Sequence, residues 1–550
     1  MPATARQKCT DEKVRNENCT HPAWSRVNFH MSNTKTIARN TGWYGIENAI
    51  GSILPLIASI AIARMLGPSK MAYIVYVMFI ANVVGSLGGL GIPSTTHKYM
   101  AEFVGMGDRG TARYIYFRTM LLQIGVATMS TTGILLWVLS DAPAEYRLAS
   151  VLVVLSIWPS MVNSISAMAN VATEEMSRNM PASVISTFAY LAVIASTLVF
   201  KWGVIGVGAA FFTMRAVDFL VRLVPTMRRV LAWDKAHVQP ANLPRRMMIF
   251  AWQSVATMAV ALIVWNRSEV ILLKHLCSDI RQIAYYSLAF SMAEQLLLSA
   301  TIFGAAASVT IFAQYGRDKS KLSAITASTI RYLALTSIPL HFIAAALAAP
   351  ALLLLYGNQY RGALMVATLA PILCMPKAFI GPVQSLLQSA ERQSYVIAAT
   401  VLAGIVDIGV AWYLIWRLNP AYGAVGACIG SGAAQVTAVG MMWAIGIHLY
   451  KVKLPWLHIA KIGFISTLAA LTAHFIAAQL PPLWAILFGG SASLVVLFGL
   501  FYLMRVLEPE DQNRFKILAG MLPTPFARPV NTIILMLVRP ETVVASPMNL

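Results

Sequence analysis

The chain has 550 residues, of which 58% are hydrophobic and only 12% are charged. Soluble globular domains carry about 25% charged residues, so this composition excludes an ordinary soluble protein. The net charge of +20 raises the alternative of nucleic-acid binding. However, the Lys and Arg residues lie in the connections between apolar segments instead of on one soluble face, which excludes that class of partner.

The first forty residues are polar and carry seven Lys or Arg. They precede the first apolar segment, so we expect no cleavable signal peptide. Met31 is a second plausible start, and the choice between Met1 and Met31 stays open. We predict that residues 1–35 form a disordered cytoplasmic tail.

Fourteen long apolar segments then follow one another. Each covers roughly 20 to 30 residues, and about 20 helical residues cross the hydrocarbon core of a bilayer. We therefore predict an all-α polytopic membrane protein with about 14 transmembrane helices. The predicted spans are 41–65, 71–99, 115–139, 148–171, 181–200, 204–224, 247–273, 283–312, 332–355, 363–387, 395–415, 421–447, 456–478 and 482–504.

The positive charges predict the topology. If all fourteen spans cross, the N-terminal tail is cytoplasmic, and Lys and Arg near the ends of spans are counted with the adjoining loops, the tail and the loops on its side hold 31 of the 42 Lys and Arg residues, and the opposite loops hold 8. Positive residues accumulate on the cytoplasmic side of membrane proteins. Both termini are therefore predicted in the cytoplasm.

The two halves of the chain resemble each other. Tyr73 matches Tyr285 and Ala101 matches Ala313 at an offset of 212 residues, and Gly203 matches Gly423 at an offset of 220. Parallel repeats related by an axis along the membrane normal are a known plan of transporters. We predict two parallel six-helix lobes plus two C-terminal helices. The predicted domains are a first lobe at 36–224, a basic cytoplasmic linker at 225–246, a second lobe at 247–450, two additional transmembrane helices at 451–504 and a cytoplasmic tail at 505–550.

The chain lacks the sequence motifs of nucleotide hydrolysis, zinc hydrolases and serine hydrolases. Its five cysteines show no spacing typical of metal ligands. We expect no cofactor, no metal site and no disulfide, and we do not expect an enzyme.

Ionisable residues inside spans are costly and mark functional sites or internal pairs. Arg267 and Glu269 point to different faces of one helix, so Arg267 either faces a cavity or extends towards the membrane surface. Glu47 and Glu294 have no charged neighbour within helical reach, which favours ion binding. Polar side chains accompany them at Asn82 and Asn266.

Two internal ion pairs are possible among the remaining charges. Arg215 and Asp218 are three residues apart on one helix and can pair. Lys377 and Asp407 lie at similar depth on consecutive spans and can also pair. For both pairs a structural role and a functional role stay open.

Several motifs resemble a known family. They are ARMLGPS at 63–69, GGLGIP at 88–93, the repeated Gly-x-x-Gly openings of spans six and twelve, and LEPED at 507–511 followed by AGMLP at 519–523. Together, over about residues 35–523, they are similar to the polysaccharide-transporter (oligosaccharidyl-lipid flippase) branch of the multidrug/oligosaccharidyl-lipid/polysaccharide flippase superfamily.

The resemblance implies two lobes in a V that open alternately to each side, with spans one, two, seven and eight around a central cavity. It implies substrate-binding roles for Asn82, Asn266, Arg267 and Glu269. Glu47, Glu294 and Asp407 are the predicted ion-coupling residues. Arg215, Lys377 and Asp407 do not fall on the lining helices. Since the resulting cavity is less basic than is typical of the family, the charge of the substrate stays open.

The implied function is a flippase for undecaprenyl-diphosphate-linked oligosaccharide repeat units in the bacterial inner membrane. The expected partners are that lipid-linked substrate, membrane lipids, and a polysaccharide polymerase with export machinery. A cation-coupled multidrug exporter of the same superfamily is the alternative. A membrane-embedded glycosyltransferase or polysaccharide ligase is a further alternative from a different class.

Overall fold

A computed structural model of the protein describes residues 32–234, 242–265, 268–317, 319–390 and 392–507. The regular secondary structure of these residues is helical, and the described part contains no strand. The predicted tails at 1–35 and 505–550 lie almost entirely outside it. The predicted all-α polytopic architecture is confirmed.

The described residues do not confirm the predicted number of spans. Among the described residues, 11 helices are long and apolar enough to cross a membrane. The first and second predicted spans fall in one helix, and the helices of the seventh and eighth spans are not among the eleven. The count of fourteen is therefore not confirmed, although each predicted segment contains helix.

The first half of the chain forms helices that pack on one another, with α1 and α7 central among them. These helices are α1 (Ser32–Leu87), α2 (Ile92–Gly105), α3 (Arg109–Asp141), α4 (Ala144–Leu155), α5 (Ile157–Ala172), α6 (Met180–Phe200) and α7 (Gly203–Leu231).

Gly67 separates the first and second predicted spans inside α1. Its φ of 73° and ψ of 172° are not helical. Glycine adopts positive φ without the steric cost that a Cβ atom brings, and Pro68 directly after it cannot donate a helical hydrogen bond. The chain turns here, so α1 contains two helical stretches, one on each side of Gly67.

The second half repeats this kind of packing. Its helices are α8 (Leu243–Trp265), α9 (Glu269–Leu276), α10 (Arg281–Arg317), α11 (Leu322–Tyr356), α12 (Leu364–Cys374), α13 (Ile380–Ser389), α14 (Gln393–Leu418) and α15 (Gly423–Tyr450). Two further helices, α16 (Trp456–Ala477) and α17 (Pro482–Leu503), pack on each other and on α11.

The tenth predicted span is broken. A 3-10 segment, Met375–Phe379, separates α12 from α13, and prolines at positions 371, 376 and 382 lie in and around the break. Proline removes a backbone donor and disrupts the helix interior. Non-helical backbone at membrane depth is tolerated where it lies inside the protein or beside a water-filled cavity.

Small residues allow close helix contact in the second half. A Cβ atom added at Gly426 of α15 would lie 2.8 Å from the backbone of Ile415, and one at Gly430 would lie 2.6 Å from Cβ of Ala411. Both neighbours belong to α14. Glycine at four-residue spacing is the usual means by which membrane helices approach each other closely.

Candidate functional site

A cavity of about 500 Å³ lies between the two halves. The second part of α1 and the first part of α10 provide most of its wall, and α8 and α9 each contribute one residue. Its polar lining consists of serine hydroxyls, one amide and one carboxyl group. The polar lining residues are Ser59, Asn82, Ser86, Ser287, Ser291 and Glu294. The four predicted spans that contribute are one, two, seven and eight.

Asn82 lines this cavity from the first half. The Arg215 guanidinium of α7 lies behind it, with Nη2 at 3.5 Å from the Asn82 amide oxygen. Arg215 also lies against the Phe211 ring, with its guanidinium carbon 5.3 Å from the ring centroid. A positive charge therefore lies next to the cavity wall. It comes from α7, a helix that the sequence analysis did not place beside the cavity.

Asp218 has a different ion-pair partner from the one that the sequence suggested. Its Oδ1 accepts from Arg222 Nη2 at 2.7 Å, and its Oδ2 accepts from Asn163 Nδ2 at 2.6 Å. Arg222 is four residues beyond Asp218, a spacing that places both on one helix face. Arg222 lies within the predicted span at 204–224, so the sequence contained this pair, but the prediction considered only Arg215 as the partner of Asp218.

Glu294 and Lys377 form an ion pair with a distance of 3.5 Å between Nζ and Oε1. The suggested pairing of Lys377 with Asp407 is therefore replaced. Depth in the membrane permitted both pairings. The rotation of each helix about its axis, which depth does not reveal, selects Glu294. Lys377 also lines a second cavity of about 470 Å³, so a residue that the resemblance placed away from the cavity helices is part of a cavity wall.

Glu269 is only 1% exposed, whereas the next residue, Val270, lines the central cavity. The structure turns the Glu269 side chain into the second half, where its carboxyl group contacts that of Asp407. Its position does not support the predicted contact with substrate. Asp407 is 0% exposed.

Hydroxyl groups are among the hydrogen-bond donors that the described residues bring to the Glu269–Asp407 pair. The Tyr286 and Ser431 hydroxyls lie beside Glu269, and Ser268 lies beside Asp407. Even so, Oε2 of Glu269 and both Asp407 oxygens accept no hydrogen bond of good geometry from a described residue. Two carboxylates in contact cannot both be charged without compensation. The pair is therefore suited to share a proton or to hold a monovalent cation.

The two halves are joined at one end of the bundle, which we call the outer end in line with the predicted topology. The Arg64 guanidinium donates from Nε to the Leu355 carbonyl at 2.6 Å and from Nη2 to the Leu354 carbonyl. In return, Tyr360 donates to the Ala63 carbonyl at 3.0 Å. Gln359 donates to the carbonyls of residues 63 and 64, at 3.2 Å each. We call Arg64, Gln359 and Tyr360 with these carbonyls the outer latch.

Described residues also join the two halves at the opposite, inner end. Arg246 at the start of α8 pairs with Glu102 of α2 at 3.0 Å, and Lys98 Nζ lies 4.0 Å from the Phe250 ring centroid. A Cβ atom added at Gly91 would lie 2.3 Å from the Ala251 carbonyl oxygen, and Gly91 has a φ of +68°. Only glycine fits this close approach of α8 to the start of α2.

Three predicted site residues are not placed by the structure. Asn266 and Arg267 lie outside the described residues, and so does the side chain of Glu47. Their roles stay predictions.

The sequence matches the model of a protein family described as "Polysaccharide biosynthesis protein" over residues 61–365, which is more than half of the chain. The chain belongs to this family. A comparison with curated protein sequences finds no match.

Solved structures with the same fold support the resemblance found in the sequence. The lipid II flippase MurJ in an inward closed conformation matches with a TM-score of 0.66 and 14% identity, covering 84% of this chain and 98% of MurJ. An inward-facing multidrug resistance MATE family transporter of the MOP superfamily matches with a TM-score of 0.61 and 16% identity, covering 73% of this chain and 95% of that one. A MOP superfamily transporter from Pyrococcus furiosus matches with a TM-score of 0.55 and 15% identity, covering 76% of this chain and 97% of that one. At these identities the likeness shows the fold alone.

Proposed function

We propose that this protein is a flippase that moves undecaprenyl-diphosphate-linked oligosaccharide repeat units across the bacterial inner membrane by alternating access. The observation that carries the proposal is the central cavity between the two halves, with its lining of hydroxyl, amide and carboxyl groups. Such groups suit sugar hydroxyls. The family description, which concerns polysaccharide biosynthesis, supports the same substrate class.

The charges around the cavity also support an anionic lipid-linked substrate. Arg215 lies behind Asn82, and Lys377 lies beside Glu294, so each half brings one cation to the cavity wall. Guanidinium and ammonium groups both bind phosphate oxygens.

We further propose that the Glu269–Asp407 pair couples transport to a proton or monovalent cation. The pair lies inside the second half, where α9 packs on α14 and α15. Charge compensation at this point changes the energy of these contacts. This keeps the ion-coupling role of Asp407 and assigns Glu269 to the same task.

Reconstituted protein tests the function. Proteoliposomes that contain a fluorescent polyprenyl-diphosphate-linked oligosaccharide should move it between leaflets, with accessibility to a membrane-impermeant quencher as the readout. Asn82→Leu should slow the movement about tenfold because it removes a hydrogen-bonding amide from the cavity. Val83→Leu, also in the cavity wall, is the matched control and should keep the wild-type rate.

Failure of the wild-type protein to move this lipid would contradict the proposal. Covalent transfer of the sugar to another lipid would instead identify a glycosyltransferase or ligase.

A cation-coupled multidrug exporter is the second candidate. One observation favours it: Glu294 is the only ionisable residue among the described residues that line the central cavity. Its pairing with Lys377 reduces the attraction that this carboxylate has for a cationic drug. Uptake of ethidium by inverted vesicles, with no movement of lipid-linked sugar, would establish the exporter.

A further inference from the structure

One face of α10 runs along both cavities. Ser287, Ser291 and Glu294 line the central cavity, and Thr301, Gly304 and Ser308 line the second one. These positions follow one another at three-residue, four-residue and seven-residue intervals, which keeps them on one side of a helix. From Ser287 to Ser308 the helix rises about 30 Å, close to the thickness of the hydrocarbon core. The two cavities therefore lie in series along one polar helix face of membrane length.

The Lys377–Glu294 ion pair stands where the two cavities meet. Glu294 is the last α10 residue of the central cavity, and Leu297, less than one turn further, is the first of the second cavity. Lys377 reaches this point from the broken part of the tenth span, within the 3-10 segment Met375–Phe379. Discontinuous membrane helices commonly form the binding sites of transporters.

The geometry of this pair is that of a loose contact. Its 3.5 Å distance exceeds the roughly 2.7–2.9 Å of a strong charge-assisted hydrogen bond. The side chains of Lys377 and Glu294 are 29% and 27% exposed, so both border open space instead of packed core. A pair that served only to hold two helices together would gain from closer approach and fuller burial of its hydrogen bond.

We propose that Lys377 is an anion-binding residue of the transport path. The Glu294 carboxylate binds the Lys377 ammonium group until a diphosphate displaces it. Glu294 then acts as a competitor of the substrate for Lys377. This inference rests on the proposed function for the identity of the anion. It revises the ion-coupling role predicted for Glu294, which lies 3.5 Å from a cation at a junction of two cavities.

Competition predicts effects of opposite sign for the two partners. Glu294→Gln removes the competing charge and should strengthen binding of an anion about tenfold. Lys377→Gln removes the anion's partner and should weaken binding about tenfold. Lys377→Arg keeps the positive charge and should stay near wild type.

The probe is farnesyl diphosphate, titrated by calorimetry into the full-length protein in lipid nanodiscs, with farnesol as the uncharged comparison. Lys453→Gln removes one positive charge at an exposed position away from both cavities and serves as the matched control. Thermal unfolding of each variant identifies any that fail to fold. If Lys377→Gln does not fold, Glu294→Gln and Lys377→Arg still decide between competition and structure.

The proposal is supported if Glu294→Gln tightens binding and Lys377→Gln weakens it. It is overturned if both changes weaken binding equally, if neither changes it, or if the wild-type protein binds farnesyl diphosphate no better than farnesol. Movement of lipid-linked oligosaccharide in proteoliposomes separates the two proposals. Normal movement with unchanged binding by Lys377→Gln defeats only this inference, whereas opposite effects on binding without any movement defeat only the proposed function.

Discussion

Two carboxyl groups in contact at 0–1% exposure place a strict condition on the second half of the protein. Between Glu269 and Asp407 there must be a proton or a cation whenever the site is closed to water. Asp407→Asn places an amide donor beside Glu269 and removes this condition. We expect the variant to fold and to lose the response of transport to an imposed ion gradient.

The measurement is the transport rate in proteoliposomes with and without a proton or sodium gradient. Asp141→Asn, which neutralises an exposed carboxylate at the end of α3, is the control and should respond like wild type. An Asp407→Asn protein that is stimulated by the gradient as strongly as wild type would remove this pair from the coupling mechanism.

At the residue scale, the sequence could indicate which side chains matter but not which of them meet. Asp407 was selected because a charge inside a span is costly, and this reasoning depends on sequence alone. Its partner is Glu269, 138 positions earlier, and their contact depends on the packing of α9 against α14. Helix rotation decides such contacts, and no periodicity in a uniformly apolar span fixes that rotation.

At the scale of elements, the outer latch joins the end of the first span to the end of α11. Arg64→Ala removes both guanidinium hydrogen bonds to the carbonyls of residues 354 and 355. Charge-assisted hydrogen bonds are each worth about 1.5–3 kcal/mol, but Arg64 is exposed, so we expect a shift of about tenfold towards an open outer end.

Spin labels at Ser69→Cys and Asn358→Cys report the separation of the two halves at the outer end. Their distance distribution should gain a longer component in Arg64→Ala. Arg361→Ala, a neighbouring exposed arginine for which the structure describes no contact between the halves, should leave the distribution unchanged. Identical distributions in all three proteins would show that the latch does not hold the outer end.

The elements themselves were largely predictable, because long apolar segments specify membrane helices. Their interruptions were not. Gly67 and the prolines at 371, 376 and 382 were visible in the sequence, yet membrane helices often tolerate such residues without breaking. Whether a given proline produces a 3-10 segment, as it does beside Lys377, depends on whether neighbouring helices and cavities accept the freed backbone groups.

At the scale of the whole molecule, the charge bias assigns a side of the membrane to every loop. Asp234→Cys lies in the predicted cytoplasmic linker, and Asn358→Cys lies in a predicted outer loop; both positions are exposed. On a background without the five native cysteines, an impermeant thiol reagent added to intact cells should label only Asn358→Cys. Labelling of Asp234→Cys from outside would invert the topology.

The two-lobe plan was predicted from weak repeats whose order and spacing agreed. Solved transporters have a fold similar to that of this chain. The span count is not confirmed among the described residues. A hydropathy window cannot distinguish one bent helix from two spans joined at Gly67.

The outer latch has a consequence for the role of water. Its acceptors are four backbone carbonyls, at residues 63, 64, 354 and 355, that lie at the ends of helices and receive their donors from the opposite half. When the halves separate, water must take the place of Arg64, Gln359 and Tyr360, since carbonyls without donors are unfavourable. Opening of the outer end therefore requires the binding of water to these carbonyls. Excluded osmolytes, which lower water activity, should hold the outer end closed.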